Sequence, residues 1–491
     1  MGVKVSDGID SGYLLVDLSS AEAIEKHAEK LRGMTFREVI DLGIVPEGVS
    51  REYNSKRYKG GMGTLIEERF FGYKANSVQG PDFEEAGVEL KVTCFDVKKD
   101  GGIAAGERLV LTMIPFDSPI EDDFYESHVW EKSANIMLVY YERNRDIDSY
   151  DQVIRYTSLF TPPAEDLKII EDDYKKIVRL IQEGHAEELS ESMTTYLGAC
   201  TKGSTAATMW VDQFYPPHSK AKKRAFCFKR QYMDFVLHHY IMRESSDSEA
   251  ILSSVEELSE MSFEELVLSK IDPYMGKSDR ELSCEFGIAY SGNKAQWTRI
   301  TFAMLGLKGE KAEEFQKANI SVSTIREEES GRVRESLSLN TISFLNLIDE
   351  EWEEAPLHEY FEETRFLFVV FRKQGGEYLL SGARFWSMPQ EHIDGPLRDC
   401  WQRTQDVVRA GVELAVVPFG DSDRVENNLP KKSDNPVAHV RPHTSKAWYR
   451  FGDGSTRGDS PQFGDELPDG REMTKQSFWL NNDYIHSIIS S

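Results

Sequence analysis

The sequence predicts an α/β protein built as two similar domains in tandem, and three observations carry that expectation. Blocks of the first half recur in the second in the same order. Each half holds a continuous apolar run of strand length, and an acidic segment falls almost midway along the 491 residues. From Glu244 to Glu265 that segment has eight acidic residues, several serines and no basic residue, the composition of a linker or exposed helical connector. The expected division is a first domain over 1–243, a connector over 244–270 and a second domain over 271–491.

The repeated blocks can be taken in order. Thr35-Phe-Arg-Glu-Val-Ile-Asp-Leu-Gly-Ile44 has a counterpart in Ser278-Asp-Arg-Glu-Leu-Ser-Cys-Glu-Phe-Gly-Ile288, and Phe83-Glu-Glu-Ala-Gly-Val-Glu-Leu-Lys-Val92 in Phe315-Gln-Lys-Ala-Asn-Ile-Ser-Val-Ser-Thr324. Glu131–Tyr141 matches Glu362–Arg372, both read as leading into a buried strand. Leu159-Phe-Thr-Pro-Pro163 precedes a charged helix ending near Gly184, and Phe385-Trp-Ser-Met-Pro389 precedes one ending at Gly411. Last, Phe228-Lys-Arg-Gln-Tyr232 answers the stretch that starts at Met473.

Composition removes several classes of function. Lys and Arg number 58 against 84 Asp and Glu, a net charge of 58 − 84 = −26, so binding to a polyanion must come from local basic patches. The densest apolar run, Phe366 to Phe371, falls far short of the roughly 18 residues a membrane helix needs, so no membrane association is expected. Five scattered cysteines without a CxxC indicate neither a disulfide framework nor a zinc site, and the expected compartment is the cytoplasm.

The chemistry concentrates in the first half. Gly87-Val-Glu-Leu-Lys-Val-Thr93 alternates, so on a strand Glu89 and Lys91 share a face about 6.6 Å apart. Asp82 lies seven residues upstream, after the turn signal Gly80-Pro81. Two carboxylates suit a hard divalent cation, Mg²⁺ with Mn²⁺ as its substitute, that keeps waters and accepts a phosphate oxygen. An adjacent lysine orients a nucleophile or stabilises the pentacovalent charge, which is phosphodiester hydrolysis. By itself Glu-x-Lys carries almost no weight, since it is a common solvated strand face.

The surroundings add weight. Lys59-Gly-Gly-Met-Gly-Thr-Leu-Ile-Glu67 opens a helix upstream, then come Pro81-Asp82-Phe83 and Gly87-Val-Glu-Leu-Lys91, and His128-Val-Trp-Glu-Lys132 follows. Together these resemble the mismatch-repair nicking endonuclease MutH and its restriction relatives. Ser158-Leu-Phe-Thr-Pro-Pro163, Tyr196-Leu-Gly-Ala-Cys-Thr-Lys202 and the region near Lys229 extend the resemblance over about 35–240. Two such halves are similar to the two-domain restriction endonucleases that cut GATC.

The resemblance implies mixed central sheets flanked by helices in both halves. It implies Asp82 and Glu89 as metal ligands, Lys91 as catalytic, Glu67 (preferred by spacing over the adjacent Glu68) as an accessory acidic residue and third ligand, and Lys132 beside the scissile phosphate. Lys59 is placed against DNA. Lys202 falls in the family's base-reading loop, although Cys200-Thr201 replaces the Arg-Pro that precedes it there.

The stretch Lys220-Ala-Lys222-Lys223-Arg224-Ala-Phe-Cys-Phe-Lys229-Arg230 has six basic residues and no acid. It is either a phosphate-binding patch that releases counterions or a solvated face. In the second half Ser321 and Ser323 stand opposite Glu89 and Lys91, Glu363 opposite Lys132, and Glu314 opposite Asp82, so no divalent site is expected there. That half instead keeps Arg441-Pro442-His443. An arginine here could read a guanine edge, worth about 1–3 kcal/mol of discrimination. His439 and His443 can also be read as a surface loop or as half of a zinc site.

The expected function is a type II restriction endonuclease acting on double-stranded DNA at GATC, the first half cutting and the second binding further target DNA as an effector. One site per chain requires a second copy on DNA, in a transient dimer. The alternatives are a MutH-type strand nickase and a catalytically silent DNA-binding protein.

Overall fold

The computed structural model describes residues 3–4, 17–46, 49, 52–53, 61–75, 80–98, 100–202, 209–334, 336–420 and 422–490. Lys59 lies outside them. The chain divides into two compact units, Met1–Phe263 with Lys311–Asn319, and Glu264–Glu310 with Ile320–Ser491. The expected boundaries at 243 and 271 are displaced for a physical reason: the acidic segment is docked on the first unit. Its Ile251, Leu258 and Phe263 are buried, Glu249 bridges Ala312, and the N–H groups of Ile251 and Leu252 donate to Glu314 at 2.9 and 3.0 Å.

The first unit centres on a four-stranded mixed sheet in the order Ile103–Ala105, Glu89–Val97, Ile136–Glu142, Ile154–Phe160. Glu89–Val97 and Ile136–Glu142 run parallel and the other neighbours antiparallel. All five side chains from Ile136 to Tyr140 are buried, which is why this strand reads as an unbroken apolar run rather than an alternation. Helix Ala164–Gln182 buries Ile170, Tyr174, Ile177, Val178 and Ile181, one helical stripe. A second sheet has Arg224–Phe228 between Leu109–Met113 and Leu197–Thr201, all antiparallel.

The second unit repeats this plan. Ile320–Glu327 runs parallel to Arg365–Gln374, which pairs antiparallel with Glu377–Trp386. Gln476–Leu480 lies between Leu337–Thr341 and Ala438–Pro442. The repetition extends to single hydrogen bonds. Thr35 and Ser278 each open a helix with a capping box, to Glu38 and Glu281. Gly33 donates to Ile154 O at 2.8 Å, and Gly276 to Leu380 O at 2.9 Å. The long antiparallel pairs slip register at Tyr140/Tyr141 and at Val370/Phe371. Gly87 (φ 62°) and Asn319 (φ 55°) both turn the chain into the first strand through the left-handed region, which Gly and Asn tolerate best.

Two of the expected equivalences move. Helices His128–Ser133 and Pro356–Glu363 end at caps Ala134 and Thr364, and Ile136 and Phe366 face Glu89 and Ser321. Glu362, not Glu363, therefore occupies the place of Lys132. Phe228 and Leu480 close equivalent strands, so the counterpart of Phe228 lies beyond Met473. Both slips come from matching apolar letters where helix ends and strand partners set the register. Among the described residues no helix is long and apolar enough to cross a membrane.

Candidate active site

The start of strand Glu89–Val97 and the turn before it fold onto each other. Phe83 and Val88 exchange backbone hydrogen bonds of 2.9 and 3.2 Å, with Gly87 making the left-handed turn between them. This closes Asp82 against the strand. Leu90 N–H donates to Asp82 Oδ2 at 2.9 Å, and Asp82 N–H donates to Glu89 Oε2 at 3.2 Å. Each carboxylate is thus held by the backbone beside the other.

Glu89 is 3 % exposed and meets two cations: Lys91 Nζ lies 2.9 Å from Oε1 and Lys132 Nζ 2.8 Å from Oε2. Lys91 comes from the same strand face, as alternation requires. Lys132 comes from helix His128–Ser133, whose first turn Ser127 caps by accepting from Trp130 N–H at 3.2 Å. Because Glu89 pairs with Ile136, a residue one helical turn earlier is carried back over the carboxylate.

Glu67 and Glu68 sit on helix Gly61–Arg69 and diverge. Glu68 is fully buried and accepts from Tyr53 O–H at 2.8 Å and Ala75 N–H at 3.3 Å, a structural role. Glu67 faces the site: burial first, then the charges of Asp82 and Glu89, push its pKa up to about 7. Burial and Glu89 raise Asp82 to about 6, against the Leu90 N–H and the two lysines. The expected ligand trio is not assembled, since among the described residues no three His, Cys, Asp or Glu side chains converge to hold a metal. Asp82 and Glu89 are the closely held pair, and Glu67 acts on them through its charge. A buried and a half-buried carboxylate held side by side, next to ammonium groups that would face a phosphate, fit a hard divalent cation completed by water and phosphate oxygens.

The basic stretch does not form one face. Arg224 is buried and donates to Ala199 O at 2.7 Å, and Lys229, 2 % exposed, donates to Thr194 O near Asp173. These two serve the fold and are removed from the expected DNA contacts. The strand pairing that buries them was not visible in a count of charges. Lys220 is exposed, 3.9 Å from Asp212, while Lys222, Lys223 and Arg230 are half-buried. Lys202 N–H donates to Lys223 O at 2.8 Å, joining the loop and this stretch.

Glu314, which belongs to the first unit, is spent on the connector backbone; in the second unit Ser321 and Ser323 stand where Glu89 and Lys91 stand in the first, and the Tyr360 hydroxyl hydrogen-bonds Ser321. Glu362 has His358 at 3.7 Å. Ala438–Pro442 is the counterpart of Leu197–Thr201, so Arg441, Pro442 and His443 match Cys200, Thr201 and Lys202. Arg441 and Pro442 are exposed, with the Arg441 guanidinium stacked 4.3 Å over Trp479. His443, also exposed, contacts Ser477 Oγ at 2.8 Å, whereas His439 is buried against Asn481 at 2.6 Å, so the two do not form half of a zinc site.

Sequence reasoning missed Tyr73 and Trp479. The signal for Tyr73 was Gly72, a turn residue directly after the Glu67 helix. Trp479 lies in the stretch that starts at Met473 and carried no separate signal.

A central mixed sheet with Glu89 and Lys91 at one strand end, Asp82 on the turn before it and a cation from the following helix define a nuclease of the restriction-endonuclease-like class. The family model for the DNA mismatch repair enzyme MutH matches residues 71–173. The type II restriction enzyme Sau3AI of Staphylococcus aureus is 36 % identical over 462 residues, 88 % of this chain and 92 % of that enzyme. The DNA mismatch repair proteins MutH of Pectobacterium atrosepticum and Vibrio campbellii are 27 % and 26 % identical, each covering 46 % of this chain and 94 % and 97 % of their own. The chain belongs to the MutH-related family of type II restriction endonucleases.

Proposed function

We propose that the chain cleaves double-stranded DNA at GATC before the guanine, leaving four-base 5′ overhangs, with Mg²⁺ as the working cation and Mn²⁺ able to replace it. The observation that carries this reading is the Asp82, Glu89, Lys91 and Lys132 cluster at one strand end. The bound cation supplies charge neutralisation at the phosphate and a more acidic water. Asp82 and Glu89 hold it. Lys91 Nζ orients the attacking water or meets the pentacovalent charge, and Lys132 Nζ lies along the scissile phosphate. Glu67, with its carboxyl poised near neutrality, takes up or returns a proton at the edge of the site. Lys59, Lys202, Lys220, Lys222, Lys223 and Arg230 contact the DNA. Working on DNA, the enzyme belongs in the cytoplasm.

The second half is catalytically inactive and binds another copy of the target as an effector. Ser321 and Ser323 in the active-site register support the first part, and the exposed Arg441-Pro442-His443 loop supports the second. With one cutting half per chain, two chains meet transiently on DNA. A GATC strand nickase is the second reading, favoured by the MutH match over 71–173. Plasmid incubated with the protein and Mg²⁺, followed by end sequencing, tests both. Linear DNA with GATC ends is expected; nicked circles alone select the nickase; uncut plasmid under every divalent metal defeats both.

A further inference from the structure

We propose that Tyr73 is a positioning residue of the active site, its hydroxyl donating a hydrogen bond to a water held by the divalent cation between Asp82 and Glu89. This rests on the nuclease reading above. Tyr73 follows helix Gly61–Arg69 after Gly72, whose φ of 73° turns the chain back so that Tyr73 N–H donates to Glu67 O at 3.2 Å. Its ring packs edge-on against Phe83, centroids 5.5 Å apart at 75°, and Phe83 is the neighbour of Asp82. Backbone and ring together fix where the hydroxyl goes.

That hydroxyl is buried without a hydrogen-bond partner among the described residues. An unpaired buried hydroxyl loses its hydration without compensation, and in a native fold it calls for an explanation such as a water or an ion. The charges that reach it are those of Asp82, Glu67 and Glu89. None of the three accepts its proton, so the donor is left for something that sits among them. A phenol keeps its proton at neutral pH and so remains a donor. If Tyr73 served packing alone, phenylalanine would do as well.

The test uses full-length protein without DNA, with Mn²⁺ uptake read by the EPR signal of the free ion. Tyr73→Phe is expected to bind Mn²⁺ roughly 10-fold more weakly, the usual scale for a group one step behind a metal ligand. Its metal-free melting temperature is expected to equal or exceed that of the unmodified protein, since an orphaned hydroxyl is gone. On DNA, kcat falls with KM unchanged. A Mn²⁺ affinity within about twofold of the unmodified protein overturns the role of Tyr73 alone, provided Glu89→Gln abolishes binding. No Mn²⁺ uptake by the unmodified protein overturns this inference together with the nuclease reading.

Discussion

Lys132 Nζ stands 2.8 Å from Glu89 Oε2 although the two residues lie on different elements, because the parallel pairing of Glu89 with Ile136 sets one helical turn over the carboxylate. The same carboxylate meets Lys91 at 2.9 Å. Lys132→Ala leaves Glu89 with one cationic neighbour and is expected to lower single-turnover cleavage about 10²-fold, the scale for losing one transition-state donor. Gel-measured rates at saturating enzyme check this. An unchanged rate would remove Lys132 from the machinery.

The carboxylate cluster makes both stability and activity depend on pH. Burial and mutual repulsion raise Glu67 to about 7 and Asp82 to about 6, so the folded, metal-free protein holds these protons more tightly than the unfolded chain does. By linkage, their contribution is most favourable below about pH 4 and is lost as pH rises through 6 to 7. The metal-free melting temperature should fall across that window, and Mg²⁺ should raise it more at pH 7.5 than at pH 5.5. Glu67→Gln should flatten the upper part of the fall. Calorimetry at stepped pH measures each.

Cleavage should show the opposite slope. Asp82 and Glu89 bind a cation only when ionised, so kcat/KM is expected to climb between about pH 5.5 and 7.5. A flat profile over that range would mean that the raised Asp82 does not limit the reaction.

Charge removals in the basic stretch should separate into two kinds. Lys229→Ala removes a buried partner of Thr194 and Asp173 and should cost about 3–5 kcal/mol of stability, as for a broken buried pair. Lys220→Ala, at an exposed position 3.9 Å from Asp212, should leave stability nearly unchanged and reduce the salt slope of DNA binding by about 1. Denaturant melts and titrations at several salt concentrations distinguish them.

Arg441 is exposed and stacked on Trp479 at 4.3 Å, a posture that presents its guanidinium outward. Arg441→Ala should keep cleavage of one-site DNA intact and remove any acceleration on two-site DNA. Equal rates of the unmodified protein on both substrates would reject the effector role.

Much of this was legible beforehand where local physics decides it. The turn signal at Gly80-Pro81 and the alternation of Glu89 with Lys91 each act over a few residues. Less legible were features set by distant partners. Six clustered basic letters looked like one surface, yet strand Arg224–Phe228 lies between two others and takes Arg224 inside, with Lys229 buried just after it. Eight acids looked like a free linker, yet Ile251, Leu258 and Phe263 among them dock it.

The order of residues along the chain determined the duplicated plan and the identity of the charged groups near residue 90, because strand alternation and turn chemistry are read from neighbours. Only the tertiary structure decided that Glu362 rather than Glu363 takes the place of Lys132, that Arg224 and Lys229 turn inward, and that the Tyr73 ring packs on Phe83 beside Asp82. Those outcomes depend on which elements pair and at what register, and pairing energy is shared between segments far apart in the chain.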